Sequence, residues 1–234
     1  MEIAHVEVGG SPYEMGVQHG QQLAGLIRET VSHYGSYEAA APGVRAALRA
    51  IEGTLGARDP GLLEEMRGIA QGAGLPYEDI LHLNALYDAR GDLLHPGHRC
   101  TAVGLPSTPD GPLVAKTDDV GMEERHFETW YRARPAAGLP YLYYAFGGSV
   151  WNQGGINGAG LVVAMTGLRP AGERQPDGIP SLIFLRMVLA ACATVEEALA
   201  FTRANPLRGY GCSMTLADPT EEAITVVENY PALA

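Results

Sequence analysis

The sequence changes character at Gly91, and that change limits the possible folds more than any other feature. Ahead of it, apolar residues recur at helical spacing; beyond it, they fall into short alternating or continuous runs that suit strands. Ser11-Pro12-Tyr13-Glu14 reads as a helix start. Ser11 is the N-cap, Pro12 sits in the first turn, and Glu14 closes a capping box. The spacing of Met15, Leu23, Leu26 and Ile27 carries this helix to about Tyr34. Further helices are predicted from Pro42 to Leu55, from Asp59-Pro60 to a stop at Gly74, and from Pro76 to about Tyr87. A short strand over residues 2–8 precedes them all.

The stretch 91–99 is polar and turn-rich, the character of an exposed linker. Strands are predicted after it at Cys100–Leu105 and Leu113–Thr117, joined by the turn Pro109-Asp110-Gly111. More follow at Tyr141–Phe146, Gly160–Met165, Ser213–Ala217 and Ala223–Val227. Helices are expected at Pro180–Cys192 and Thr194–Ala204, the second opened by a Thr194/Glu197 capping box. Paired antiparallel strands with interposed helices predict an α+β design of stacked sheets covered by helices. Residues 1–99 form a mainly helical segment of it and residues 100–234 a strand-rich one.

Composition narrows the possible partners. A formal charge of −11 with only 16 basic residues among 234, none in a run, argues against nucleic acid, because phosphate neutralisation needs clustered Lys and Arg. The first 20 residues carry Glu2, Glu7 and Glu14 and no apolar core of a signal peptide, and no stretch has the roughly 18 apolar residues of a membrane span. Three cysteines, Cys100, Cys192 and Cys212, do not make a disulfide framework, so a reduced, cytoplasmic protein is expected.

Cys100 stands where the linker meets a strand, which gives a thiol both access and a rigid platform. The plainer reading is a small apolar residue opening a strand. Cys192 and Cys212 read as core. A nucleophilic thiol needs a base, and His5, His19, His33, His82, His95, His98 and His126 are all candidates that no local feature separates. His95, His98 and Cys100 are also spaced like metal ligands, a weak pattern without a second pair; no metal or cofactor is expected. Cleavage ahead of Cys100 is the economical alternative. It frees an α-amino group whose ordinary pKa of about 7.7–8 suits a base at neutral pH.

Several motifs fall in an order that resembles the isopenicillin-N acyltransferase group of cysteine N-terminal-nucleophile hydrolases, relatives of bile-salt hydrolases and acid ceramidases. They are Tyr13-Glu-Met-Gly-Val-Gln-His-Gly20, Cys100-Thr-Ala102, Asp110-Gly-Pro-Leu-Val-Ala-Lys-Thr-Asp118, Gly155-Ile-Asn-Gly-Ala-Gly-Leu161 and Val226-Val-Glu228. The resemblance implies a four-layer αββα sandwich and a precursor cut between Arg99 and Cys100. Its Cys100 thiol would form a thioester with the acyl part of a linear amide and pass it to water or an amine. The substrate class implied is a small acyl amide, with acyl-CoA or an amine acceptor as second partner. Asp118 matches the aspartate that would hold the freed amino group, and Asn157 the asparagine that would help form an oxyanion hole. For each there is a plainer reading, a turn-capping carboxylate and a turn asparagine.

The sequence also departs from the family pattern. Thr117 replaces the usual asparagine and Lys116 is the nearest cation where an arginine is common, which places both at the substrate pocket. The resemblance further implies strands and a second oxyanion asparagine beyond Ala234. An incomplete domain is therefore expected, with sheet edges that an oligomer would cover. Two other classes stay open: a non-catalytic protein of this fold that binds a small ligand or partner, and a papain-like Cys–His hydrolase. Tyr141, Tyr143, Tyr144, Phe146 and Trp151 read as strand core or as the wall of an acyl pocket.

Overall fold

The computed structural model describes residues 3–90, 100–109, 111–168, 178–207, 211–220 and 223–229. Strand β1 (Ala4–Gly10) leads into helices α1 (Pro12–Gln22), α2 (Ala24–Tyr34), α3 (Pro42–Arg58), α4 (Pro60–Ala73) and α5 (Tyr77–Arg90). Strands β2 (Cys100–Leu105), β3 (Leu113–Asp118), β4 (Glu128–Pro135), β5 (Tyr141–Phe146), β6 (Gly154–Asn157) and β7 (Val162–Leu168) follow. Then come α6 (Ser181–Ala191), α7 (Val195–Ala204), β8 (Gly211–Ala217) and β9 (Thr225–Asn229).

The local signals behave as their chemistry requires. Ser11 and Glu14 form the reciprocal capping box, with Pro12 in the first turn. The Asp59 carboxylate accepts from the Gly61 N–H at the start of α4, and Gly74 ends that helix in the left-handed conformation. One expectation fails: the helix over 12–34 is two helices broken at Leu23, which carries no Gly or Pro signal. Packing decides the break. α1 lies along α4, whereas α2 packs against both α4 and α5.

Seven strands form one sheet in the order β1-β4-β5-β6-β7-β8-β9, and β2 and β3 form a separate two-stranded sheet. Among the described strands every pairing is antiparallel except β1 with β4, which is parallel from Ala4↔Thr129 to Gly10↔Pro135. An all-antiparallel expectation therefore needs correcting at this edge. The chain between these two strands holds five helices and a hairpin, ample length for the crossover that a parallel pair demands. Strands β4 and β6 are also additions that the sequence did not single out. The α+β layering is as expected. α1 and α6 cover one face of the large sheet, with His19 against Tyr131 and Arg186 against Tyr141, and the β2–β3 hairpin rests on the other face near β7 and β8. No helix among the described residues is long and apolar enough to cross a membrane.

Glycines let helices α1 and α4 meet backbone to backbone. Gly16 and Gly20 of α1 face Gly68 and Gly72 of α4, and a Cβ on any of them would collide with backbone of the opposite helix. At Gly16 that Cβ would sit on the Glu65 carbonyl oxygen. The approach lowers α1 until His19, 2% exposed, reaches the connection between β5 and β6. There the Gly148 N–H donates to His19 Nε2 at 3.0 Å, and the Tyr131 hydroxyl lies 3.0 Å from the same nitrogen. Asn84 of α5 holds the connection from another side. Its amide donates to the Gly148 carbonyl at 3.0 Å and its carbonyl accepts from the Val150 N–H at 2.7 Å.

Burial pushes the His19 imidazole down to about 3, so the ring is neutral in the folded protein. Two outcomes are expected. Gly16→Ala should lower the thermal midpoint sharply, because overpacking against backbone costs about 1–3 kcal/mol or more. His19 binds a proton in the unfolded chain below about pH 6.5 but not in the folded one until about 3. Between those values its contribution to stability falls as pH falls, with a limiting slope near 1.4 kcal/mol per pH unit. Denaturant unfolding of wild type and His19→Gln at several pH values checks this; the variant should lack that component of the slope.

Candidate active site

The hairpin delivers the site. β2 and β3 alternate in burial, so Cys100, Ala102, Gly104, Val114, Lys116 and Asp118 face the large sheet and their neighbours face outward. The register pairs Cys100 with Asp118, the first residue of one strand against the last of the other. Side chains on one face of such a pair touch. Cys100 Sγ lies 3.0 Å from Asp118 Oδ1. Lys116, two residues along on the same face, ion-pairs with Asp118 and donates from Nζ to Gln153 Oε1 at 2.9 Å.

These groups form a short chain of thiol, carboxylate, ammonium and amide. Burial, above all, pushes the Cys100 thiol up to about 11; the Asp118 charge adds to this and Lys116 partly offsets it. The sulfur is thus a thiol at neutral pH and needs a base to become a nucleophile. Among the described residues no histidine lines its cavity. His19 and His82 are held elsewhere, His82 Nδ1 lying 2.9 Å from the Gly35 carbonyl. His95 and His98 lie outside the described residues, as does Arg99. No group of three or more His, Cys, Asp or Glu among the described residues is placed to hold a metal.

Two cavities meet at Asp118. The smaller, about 90 Å³, contains Cys100, with Asp119 and Glu124 as further polar groups and Phe146, Trp151 and Met165 among its apolar walls. The larger, about 490 Å³, runs over the face of β4 to β7, where Trp130, Leu142 and Tyr144 line it beside Lys116 and Glu128. Of the aromatic candidates, Tyr144 lines the larger of these cavities and the buried Phe146 and Trp151 line the smaller, whereas Tyr141 and Tyr143 line neither.

Two expected site residues line neither cavity. Thr117 faces the outer side of the hairpin opposite Thr101, because alternation that turns Lys116 and Asp118 inward must turn Thr117 outward. Asn157 ends β6 and its polar groups are all engaged. Its side-chain amide donates to the carbonyls of Leu189 and Cys192 at 2.9 and 2.7 Å, its Oδ1 accepts from the Ala159 and Leu161 N–H groups, and its own N–H donates to the Leu161 carbonyl. It ties off the end of α6 and has no donor left for an oxyanion. It is not an αL residue either; the positive φ in this turn belongs to Gly160. Cys192 and Cys212 are buried. Sequence reasoning missed Gln153 as a site residue, although its position two before the Gly155 motif was available.

Comparison with known proteins shows the family. The family model described as acyl-coenzyme A:6-aminopenicillanic acid acyl-transferase matches residues 107–232, more than half of the chain. The chain belongs to that family. A curated relative, the 40 kDa form of acyl-coenzyme A:6-aminopenicillanic-acid-acyltransferase from Emericella nidulans, is 29% identical over 201 residues, covering 83% of this chain and 55% of its own length. The chain thus spans little more than half of that relative. Penicillin V acylase from Agrobacterium tumefaciens is a matching solved structure, at 16% identity and a TM-score of 0.29, covering 57% of this chain and 42% of that one. A likeness of that size carries no argument for this chain.

The electrostatics can be tested at the thiol. In the uncleaved chain, Asp118→Asn should acidify Cys100 and speed its alkylation by iodoacetamide at pH 8 several-fold, whereas Lys116→Met should slow it. Peptide mapping of the labelled cysteine reads both.

Proposed function

We propose that this protein is an acyl-transferring or amide-cleaving enzyme whose nucleophile is the Cys100 thiol, freed as an N-terminal residue by cutting the Arg99–Cys100 bond. The observation that carries this reading is the Cys100↔Asp118 register, with sulfur and carboxylate 3.0 Å apart at the very start of a strand. A thiol pushed up to about 11, with no histidine among the described residues of its cavity, fits a base of another kind. The α-amino group of residue 100 is that base. It is attached to the same residue, and Asp118 stabilises the ammonium it becomes. Family membership supports the same class of chemistry.

In the first step the amino group takes the thiol proton and sulfur attacks the amide carbonyl. The C–N bond then breaks, the proton passes from the ammonium to the departing nitrogen, and a thioester remains on Cys100. Water or an acceptor amine adds to the thioester, its proton goes to the α-amino group, and the thiol is regenerated. In the first peptide cut the α-amino nitrogen still belongs to the Arg99–Cys100 amide, so Asp118, 3.0 Å from the sulfur, takes the thiol proton. Sulfur attacks the Arg99 carbonyl, the C–N bond breaks as the proton passes to the freed amino group, and water hydrolyses the Arg99 thioester. Residues 1–99 and 100–234 are then two polypeptides.

Lys116 holds Asp118 in place and brings a positive charge into the larger cavity, which suits an acyl donor or acceptor bearing an oxygen-rich or anionic group. Acyl-CoA and amine acceptors fit the chemistry named for the Emericella relative. Intact-mass analysis of the purified protein should show a chain beginning at Cys100 in wild type and only the full-length chain in Cys100→Ala. A wild-type chain that stays whole and inert towards acyl amides would sink the reading.

A further inference from the structure

The Cys100 cavity is lined by a tryptophan whose indole N–H no described residue engages. Trp151 is 1% exposed and lines the cavity together with Cys100 and Asp118. Its indole N–H has no partner among the described residues. An indole nitrogen can only donate, and a buried donor left unpaired costs about 1–3 kcal/mol, so an orphan at a reactive sulfur asks for an acceptor supplied from outside. Asn152 and Ser149 also carry unpaired buried atoms, but neither lines this cavity.

The donor is also held still. Trp151 follows the segment that His19 and Asn84 anchor at Gly148 and Val150, its ring meets Phe146 edge-on at 5.5 Å, and the Asn152 N–H next to it donates to the Leu182 carbonyl. Such fixed donors act most strongly where negative charge develops, because they need no reorganisation. Cys100, Asp118 and Trp151 line this one cavity together, so a group bound at the sulfur shares it with the indole. The asparagine expected to serve this purpose, Asn157, has no free donor.

We propose that the Trp151 indole N–H is the donor for the acyl carbonyl oxygen of the substrate at Cys100, and that the cavity around it is the subsite for a short acyl group. This rests on Cys100 as nucleophile, and the test separates the two. Cys100→Ala, labelled with ¹⁵N, is titrated with N-methylpropionamide and, as a control lacking the carbonyl, with N-methylpropylamine. The two indole resonances are assigned with Trp130→Phe. The Trp151 N–H resonance should move downfield with the amide and stay put with the amine; an unmoved resonance overturns the inference.

In the Cys100 protein, Trp151→Phe should lower kcat on the order of a hundredfold with KM changed only a few-fold, the pattern of a lost oxyanion donor. Replacement of Trp151 by benzothienylalanine keeps the ring shape without the N–H and should reproduce the loss in a chain that folds as wild type. An unchanged kcat, or a loss confined to KM, also overturns the inference. If the wild-type chain turns over no acyl amide, the reading of Cys100 as nucleophile falls, and the titration still decides what Trp151 binds.

Discussion

The close approach of α1 to α4 is the constraint from which the site follows. Four glycines let two backbones meet where side chains would hold them apart. A helix lowered in this way carries His19 into the interior, where it accepts the Gly148 N–H, and the β5–β6 connection is pinned as a result. That connection carries Trp151 and Gln153 to the hairpin that bears Cys100, Lys116 and Asp118. A packing feature on one face of the sheet therefore sets the geometry of a polar cluster on the other. The Gly-x-x-His-Gly stretch of α1 has this structural meaning: its glycines serve the helix contact and its histidine serves the loop.

Much of this was legible in the chain, for local reasons. The Ser11/Glu14 capping box, Pro12, Pro60 and Gly74 act within one turn of helix and the structure keeps them; at Thr194 half of the expected box forms, because the Glu197 carboxylate accepts from the Ala193 N–H instead. The hairpin and its register could be read because a turn signal and two alternating runs define one pairing. The break at Leu23 and the parallel seat of β1 could not, since both are decided by distant surfaces rather than neighbouring residues. Thr117 is a different kind of miss. Once Cys100 and Asp118 are taken to share a face, parity alone sends residue 117 to the opposite one. Asn157 shows the limit of a motif: the residue is where the resemblance puts it, yet its amide is spent on the end of α6. Trp151 lies in an irregular connection with no periodicity to mark it.

The high pKa of the thiol, about 11, is informative in its own right. A cysteine already ionised at neutral pH would react with any electrophile that found it. Here burial and the adjacent carboxylate keep sulfur protonated while the peptide link ahead of it is intact. Under the proposed cut, the freed amino group would add a second base at the same residue, while Lys116 partly offsets the carboxylate's field.

The parallel pairing of β1 with β4 has a consequence for a chain severed at 99–100. The two pieces would be interlocked parts of a single sheet and a single core, with seven residue pairs between those strands alone and helices of the first piece packed over strands of the second. Dilution would not part them, because neither could leave without exposing apolar surface that the other covers. Loss of one piece would amount to global unfolding, so the nick would alter chain chemistry at one point while leaving the molecule mechanically whole.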